Sequence, residues 1–373
     1  MSFLLQIFII FFASLLISPI ILRGISFFFR KWGILDRPHL YKSEEWRKPA
    51  PYGVGVVLIL MLLIFFPVFY FSFDFSMILE RRLHIVMILG VLLALVSFVD
   101  DMDTIGKSPI SVPPLFRLGM QILIGLIIGL TSIKISYVSG LFGWVVDLTD
   151  YFISFSFSDH IYTLYYIPIL FTIMWYALVF NSVNFSDGVP GLTGGYALIS
   201  FLIIAGLAIK LLFTDTSIPA IENSRFLLMI LAVVIPTTFW LTRADISRRV
   251  IMGDSGTIML AFLIATLAII AWGKIATAMA VLGVYLIDLI YVVTVRILQW
   301  KNPLKWEQST HLHFRLMEIG FSKQKIRLTV YFLTAFFGIT AIFLDTKWKI
   351  FLFIIIGFIT VFLTQILTIV KKK

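Results

Sequence analysis

The chain has 373 residues, 60% of them hydrophobic and only 13% charged, with a mean hydropathy of +1.02. Soluble globular chains carry about 25% charged residues, so an ordinary soluble fold is excluded and a polytopic membrane protein is indicated. No cysteine is present, which excludes disulfides and thiolate metal sites. The net charge of +10 reads as basic loops facing anionic headgroups, and no nucleic-acid partner is expected.

A helix needs about 20 apolar residues to cross a bilayer. Eleven candidate spans follow in chain order: 3–22, 53–73, 84–99, 115–131, 161–180, 192–213, 226–241, 256–272, 275–295, 327–344 and 349–370. The predicted class is an all-α polytopic membrane protein, a single integral-membrane domain over 1–373. The first stretch lacks a basic flank and a small-residue cleavage site, so it is expected to be a retained helix. Between the fourth and fifth spans, Leu141 to Val146 is too short to cross. Gly140, Gly143 and neighbouring aromatic and β-branched residues suit a hairpin or an interfacial segment there.

Lysine and arginine set the orientation. With the N-terminus outside and the C-terminus cytoplasmic, basic residues favour the inside by more than two to one. The loops 23–52, 100–114, 181–191, 242–255 and 296–326 then share the cytoplasmic face, which places all three acidic patches and the pair His311-Leu312-His313 inside.

Asp100-Asp101 ends the third span. Adjacent carboxylates repel and call for a metal, a cation or water; a solvated acidic loop is the plain alternative. Asn181, Asn184 and Asp187 follow the fifth span at spacings of three, so a continuing helix would place them on one side. Asparagine offers donor and acceptor to a base, a sugar or a metal, although a helix end followed by a turn also uses Asn, Asp and Gly. Gly253-Asp254-Ser255-Gly256-Thr257 opens the eighth span, where Asp or Ser can cap the helix or the N-terminus can receive phosphate. His311-Leu312-His313-Phe314-Arg315 suits a pyrophosphate through charge and hydrogen bonds. Asp288, inside the ninth span, marks either a pathway or a structural pair.

Taken in order, these motifs resemble those of the polyprenyl-phosphate N-acetylhexosamine-1-phosphate transferases, the glycosyltransferase family 4. The match runs over nearly the whole chain. It begins with Asp36-Arg37-Pro38 and Lys48-Pro49-Ala50-Pro51 and continues through Asp100-Asp101, Arg117 and Gln121. Its most specific part is Asn181-x-x-Asn184-x-x-Asp187-Gly188-x-x-Gly191-Leu192, followed by Met252-Gly253-Asp254-Ser255-Gly256, Asp288 and His311-x-His313-x-Arg315. Eleven spans is the count of the branch that acts on undecaprenyl phosphate with UDP-N-acetylglucosamine. That branch has Asp, His and Asp where this chain has Pro190, Phe314 and Gln308, departures that bear on sugar specificity.

The resemblance implies transfer of a sugar-1-phosphate from a UDP-sugar to undecaprenyl phosphate, with release of UMP, at the cytoplasmic face of a bacterial inner membrane. It implies Mg²⁺, with Mn²⁺ as a substitute. Asp254 is then the main metal ligand and Asn184 the second. Asp100 activates the prenyl phosphate and Asp101 positions substrate or metal. Asn181 and Asp187 contact the nucleotide sugar. His311, His313 and Arg315, with Lys48 as a weaker candidate, hold phosphates. A homodimer is allowed. The rivals are a secondary transporter or flippase, which predicts acids and broken helices at mid-membrane, and a catalytically inactive scaffold of the same family.

Overall fold

The computed structural model describes residues 2–38, 47–73, 75–139, 144–157, 160–271, 275–301 and 311–372. Every candidate span overlaps a helix. In chain order these are α1 (Phe3–Lys31), α2 (Val57–Ser72), α3 (Met77–Thr104), α4 (Pro114–Gly129), α5 (Tyr166–Phe185) and α6 (Leu192–Thr214). They continue as α7 (Ile218–Ile246), α8 (Gly253–Ile270), α9 (Ile275–Leu298), α10 (Leu312–Glu318), α11 (Lys323–Phe343) and α12 (Thr346–Lys372). Among the described residues nine helices are long and apolar enough to cross a membrane, and α4 is a shorter apolar helix. The chain is an all-α polytopic membrane protein.

Several helices outrun their apolar windows. α1 continues to Lys31, α3 starts at Met77 and α7 at Ile218, because a helix does not stop where hydrocarbon ends. The fifth span is corrected in the other direction. It begins at Tyr166, and residues 160–164 are strand instead. Short apolar runs rich in aromatic and β-branched residues read alike as helix or strand. The expected hairpin is present, with a second beside it: β1 (Tyr137–Ser139) pairs antiparallel with β2 (Val145–Asp147), and β3 (Ile153–Phe157) with β4 (His160–Leu164). Residues 140–143, which include part of the predicted apolar piece, lie outside the described residues.

The chain divides into two compact units: Met1–Pro113 with Asp187–Leu263, and Pro114–Ser186 with Ile264–Lys373. In the first, α7 is the hub, and α1, α2, α3 and α6 pack on it. α1 and α7 run parallel in one register. Ser14 Oγ donates to Val233 O at 3.1 Å, Ser18 Oγ meets Thr237 Oγ1 at 3.0 Å, and Trp240 Nε1 donates to Leu15 O at 3.0 Å. Lipid offers no hydrophobic drive between helices, so such side-chain bonds help to hold them.

The first loop is stitched to the segment that leads into α8. The buried Asp36 carboxylate accepts from Ala50 N at 2.7 Å and pairs with Arg47. Val54 N then donates to Ile251 O and Gly55 N to Met252 O, at 3.2 and 2.9 Å. Gly55 lies against Gly256 so closely that a Cβ on Gly55 would sit 2.0 Å from the Gly256 Cα, so neither backbone could approach with a side chain there.

In the second unit α9 is the hub for α5, α11 and α12, while α4 lies along α5. Tyr176 OH meets Thr266 Oγ1 at 2.6 Å, and Trp175 Nε1 donates to Ala265 O at 3.1 Å, fixing α5 to the second half of α8.

Candidate functional site

The first four N–H groups of a helix have no partner within it. At α8 those of Asp254 and Ser255 are taken by a residue far away in the chain. Asp101 Oδ1 accepts from Asp254 N at 2.6 Å, and Asp101 Oδ2 from Ser255 N at 3.0 Å. Asp101 has no exposed surface. Gly253, at φ +73°, makes the turn that leads in. A Cβ there would lie 2.6 Å from Asp101 Oδ1, so glycine is required on both counts. Sequence reading offers Asp254 or Ser255 as the cap of this helix. The cap is Asp101, which leaves the Asp254 side chain on the first turn, half-buried.

Asp187 joins the same first-unit cluster. Thr193 Oγ1 donates to its Oδ1 at 3.3 Å and Thr257 Oγ1 to its Oδ2 at 3.2 Å. Thr257 also bonds Gly253 O at 3.0 Å. Removal from water and the charges of Asp245 and Asp254 push the Asp187 carboxyl up to about 7. Asp187 is exposed on its outer side, and the two neighbouring carboxylates add to the upward push. Asp245 is the acid that sequence reading passes over. It is buried, accepts from Gly191 N at 2.5 Å and lies 4.0 Å from an Arg248 nitrogen. Its signal is that it is the only acid between residues 226 and 253, in a stretch otherwise read for its arginines.

Asp100, next to Asp101, is buried near the end of α3. Lys48 stands exposed on the stitched loop. The first unit therefore brings Asp101, Asp187, Asp245 and Asp254 to the start of α8.

The expected continuous stripe of Asn181, Asn184 and Asp187 does not form. α5 stops at Phe185, and Asp187 lies in the turn beyond it. In the second unit, Asn181 spends its amide N–H groups on Gln121 Oε1 at 2.7 Å and Ala177 O at 2.8 Å, so its carbonyl oxygen remains for a ligand. Asn184 is half-buried on the last turn of α5.

Asp288 is a structural pair rather than a lone acid. Its Oδ2 bonds His311 Nδ1 at 2.9 Å and its Oδ1 accepts from Leu312 N at 3.0 Å. It thus holds the start of α10 and orients the His311 ring, which packs on Phe185 with centroids 4.9 Å apart. That use of both oxygens removes the main support for a transport pathway. His313 is 1% exposed, and neither of its ring nitrogens has a hydrogen-bond partner among the described residues. Burial and the neighbouring His311 pull its pKa down to about 3. At neutral pH the His313 ring is therefore neutral, able to hydrogen-bond but carrying no charge. Phe314, one of the departures, packs on that ring at 4.2 Å. Arg315 lies over the Tyr291 ring at 5.7 Å. Gln308 lies outside the described residues.

Among the described residues no group of three or more His, Asp or Glu side chains is arranged to hold a metal ion. Mg²⁺ asks for less, commonly one or two carboxylates completed by water and phosphate oxygens. Asp254 and Asp187 fit that demand: both are carboxylates at one helix start, and the crowding that raises Asp187 is what a cation relieves.

Residues 83–272, half of the chain, match Glycosyl transferase family 4. A probable undecaprenyl-phosphate N-acetylglucosaminyl 1-phosphate transferase of Bacillus subtilis is 28% identical over 52% of this chain, which spans about half (53%) of that relative's length. A phospho-N-acetylmuramoyl-pentapeptide-transferase of Chlorobium limicola is 24% identical over 70% of this chain and 73% of its own. A decaprenyl-phosphate N-acetylglucosaminephosphotransferase of Mycobacterium leprae is 25% identical over 48% of this chain and 49% of its own. The matched residues run from α3 to the end of α8 and carry Asp100, Asp101, Asp187, Asp245 and Asp254. This membrane protein belongs to glycosyl transferase family 4.

Proposed function

We propose that the protein transfers an N-acetylhexosamine-1-phosphate, GlcNAc-1-phosphate by default, from a UDP-sugar to undecaprenyl phosphate and thereby starts a cell-envelope polysaccharide at the cytoplasmic face of a bacterial inner membrane. The observation that carries this reading is the cluster of four carboxylates at the start of α8, one locked as a cap. It suits chemistry on phosphates, and the relatives' names supply the substrates.

In the reaction an oxygen of the prenyl phosphate attacks the sugar-bearing phosphorus of the donor. The P–O bond to UMP breaks, and a prenyl diphosphate sugar remains. Two anions must meet, so charge neutralisation and positioning are the main catalytic demands. Asp254, with Asp187 beside it, would hold Mg²⁺ or Mn²⁺, which when bound supplies that neutralisation. Asp101 holds the α8 N-terminus rigid, so that Asp254 is presented in one place. Asp100 takes the proton of a singly protonated prenyl phosphate. Asn181 offers its carbonyl oxygen to the nucleotide sugar, His311 and His313 offer ring nitrogens to phosphate oxygens, and Arg315 and Lys48 supply positive charge.

A second reading keeps the reaction and changes the donor to UDP-MurNAc-pentapeptide. The wider coverage of the Chlorobium limicola relative favours it. The deciding assay follows UMP release by purified protein with undecaprenyl phosphate, Mg²⁺ and one donor at a time: UDP-GlcNAc, UDP-FucNAc, UDP-QuiNAc or UDP-MurNAc-pentapeptide. Turnover is expected with UDP-GlcNAc. The 6-deoxy donors are the main competitors, because Phe314 and Pro190 offer no side-chain hydrogen bond to a hydroxyl. Turnover with the pentapeptide donor alone would overturn the GlcNAc assignment, and UMP release from none of the four would overturn the transferase reading.

A further inference from the structure

A cavity of about 560 Å³ is lined by the C-terminal parts of the parallel helices α1 and α7 and by the residues just after α7. Four of its lining residues are Arg23, Arg30, Arg243 and Arg249, and no acid lines it. All four arginines are exposed, and among the described residues none has a carboxylate partner. Arg30 donates only to Arg249 O, at 3.4 Å. The rest of the wall is largely apolar, with Pro19, Leu22, Phe27 and Trp240.

The depth of this cavity follows from helix geometry. Residues 3–22 carry no charge and span about 30 Å as a helix, the thickness of the hydrocarbon core. Arg23 therefore sits at the hydrocarbon boundary, and Arg30 about 10 Å farther along the axis, among headgroups. Leu22 and Pro19 face the acyl side of that boundary, and Trp240 is the kind of residue that anchors there. Unpaired guanidinium groups at headgroup level, beneath an apolar wall, complement one occupant: a lipid with an anionic phosphate and acyl chains.

We propose that the Arg23–Arg30–Arg243–Arg249 cavity binds the headgroup of an anionic glycerophospholipid of the surrounding leaflet. The guanidinium groups grip the phosphate oxygens in forked pairs, and the apolar wall seats the first part of an acyl chain. The site is separate from the carboxylate cluster in its chemistry and needs no nucleotide sugar.

Native mass spectrometry of the full chain in detergent, titrated with dioleoyl-phosphatidylglycerol or dioleoyl-phosphatidylcholine, tests this. Phosphatidylglycerol adducts should persist at collision energies that strip phosphatidylcholine. R23Q/R243Q should weaken their retention roughly tenfold or more, since each basic residue at a membrane surface contributes substantially to lipid attraction. R81Q, which removes an exposed arginine outside the cavity, should leave it unchanged. All three sites are exposed, and circular dichroism confirms that the variants are folded. Equal retention of the two lipids, or full retention in R23Q/R243Q, would overturn the proposal. Glycerol 3-phosphate binding as well as phosphatidylglycerol would make this a free-phosphate site. Displacement of phosphatidylglycerol by equimolar undecaprenyl phosphate would assign the cavity to the acceptor. Either result replaces the bystander lipid proposed here.

Discussion

Asp101 and Asp254 are 153 positions apart, yet the carboxylate of the first accepts a 2.6 Å hydrogen bond from the backbone N–H of the second. One acid of the Asp-Asp pair is therefore committed to holding the helix that presents another acid. The roles separate by experiment. Asp101→Ala leaves two buried N–H groups without their partner and should cost about 2 kcal/mol or more, read as a lowered Tm in detergent. Asp101→Asn keeps one acceptor and should fall between that and the wild type.

Asp254→Ala should do the reverse. It removes a like charge from beside Asp187 and leaves the Asp101 cap on the backbone in place, so the protein should stay folded while UMP release falls at least a hundredfold. EDTA should abolish turnover in the wild type, and Mg²⁺ or Mn²⁺ should restore it. Full activity in EDTA would sink the metal-assisted reading.

Two groups outside the spans give opposed pH dependences. The Asp187 carboxyl titrates near 7 when folded against 3.8 otherwise, so between those values the folded chain binds the extra proton and stability falls as pH rises. His313 titrates near 3 when folded against 6.5 otherwise. There the unfolded chain binds the extra proton, so His313 contributes stability above about pH 6.5 that is lost as pH falls toward 3. In metal-free protein the two trends should offset one another between pH 4 and 6.5. Asp187→Asn should expose the His313 trend, seen as a Tm that climbs with pH across this window. A flat Asp187→Asn profile would contradict the His313 assignment.

The pair of Asp288 and His311 should be sensitive to truncation. Asp288→Ala strands His311 Nδ1 and Leu312 N in a buried place, at a cost of about 3 kcal/mol. Limited proteolysis near α10 should accelerate. Asp288→Asn retains an acceptor for Leu312 N and should be milder. Equal proteolysis of both variants and the wild type would argue that α10 is held elsewhere.

Sidedness can be read by cysteine labelling, since the chain has no cysteine of its own. Ser186 and Ser255, natural choices from the sequence, are buried and unsuitable. Ser309 and Ser158 lie outside the described residues. Ser247 and Ser322 are exposed and should label from the cytoplasm, while exposed Ser154 and Ser217 should label from outside. Ser247 labelling from outside would overturn the cytoplasmic assignment of the acidic cluster.

The sequence by itself determined what depends on neighbours along the chain. Hydropathy located the nine long apolar helices found among the described residues, because one helix must bury about 20 apolar residues whatever surrounds it. Acids at the span ends stood out because hydrocarbon excludes them. The same reasoning found the hairpin region but placed the start of α5 too early, since a short apolar aromatic run satisfies helix and strand alike. Only the tertiary structure decided what each polar group does. Asp101 reads as a partner of Asp100 until α8 is brought to it, Asp288 as a lone intramembrane charge until His311 arrives, and Asp245 as a minor residue among arginines until Asp187 and Gly191 N meet it. Hydrogen bonds and like-charge contacts act over a few ångströms in space, and sequence spacing does not report that distance.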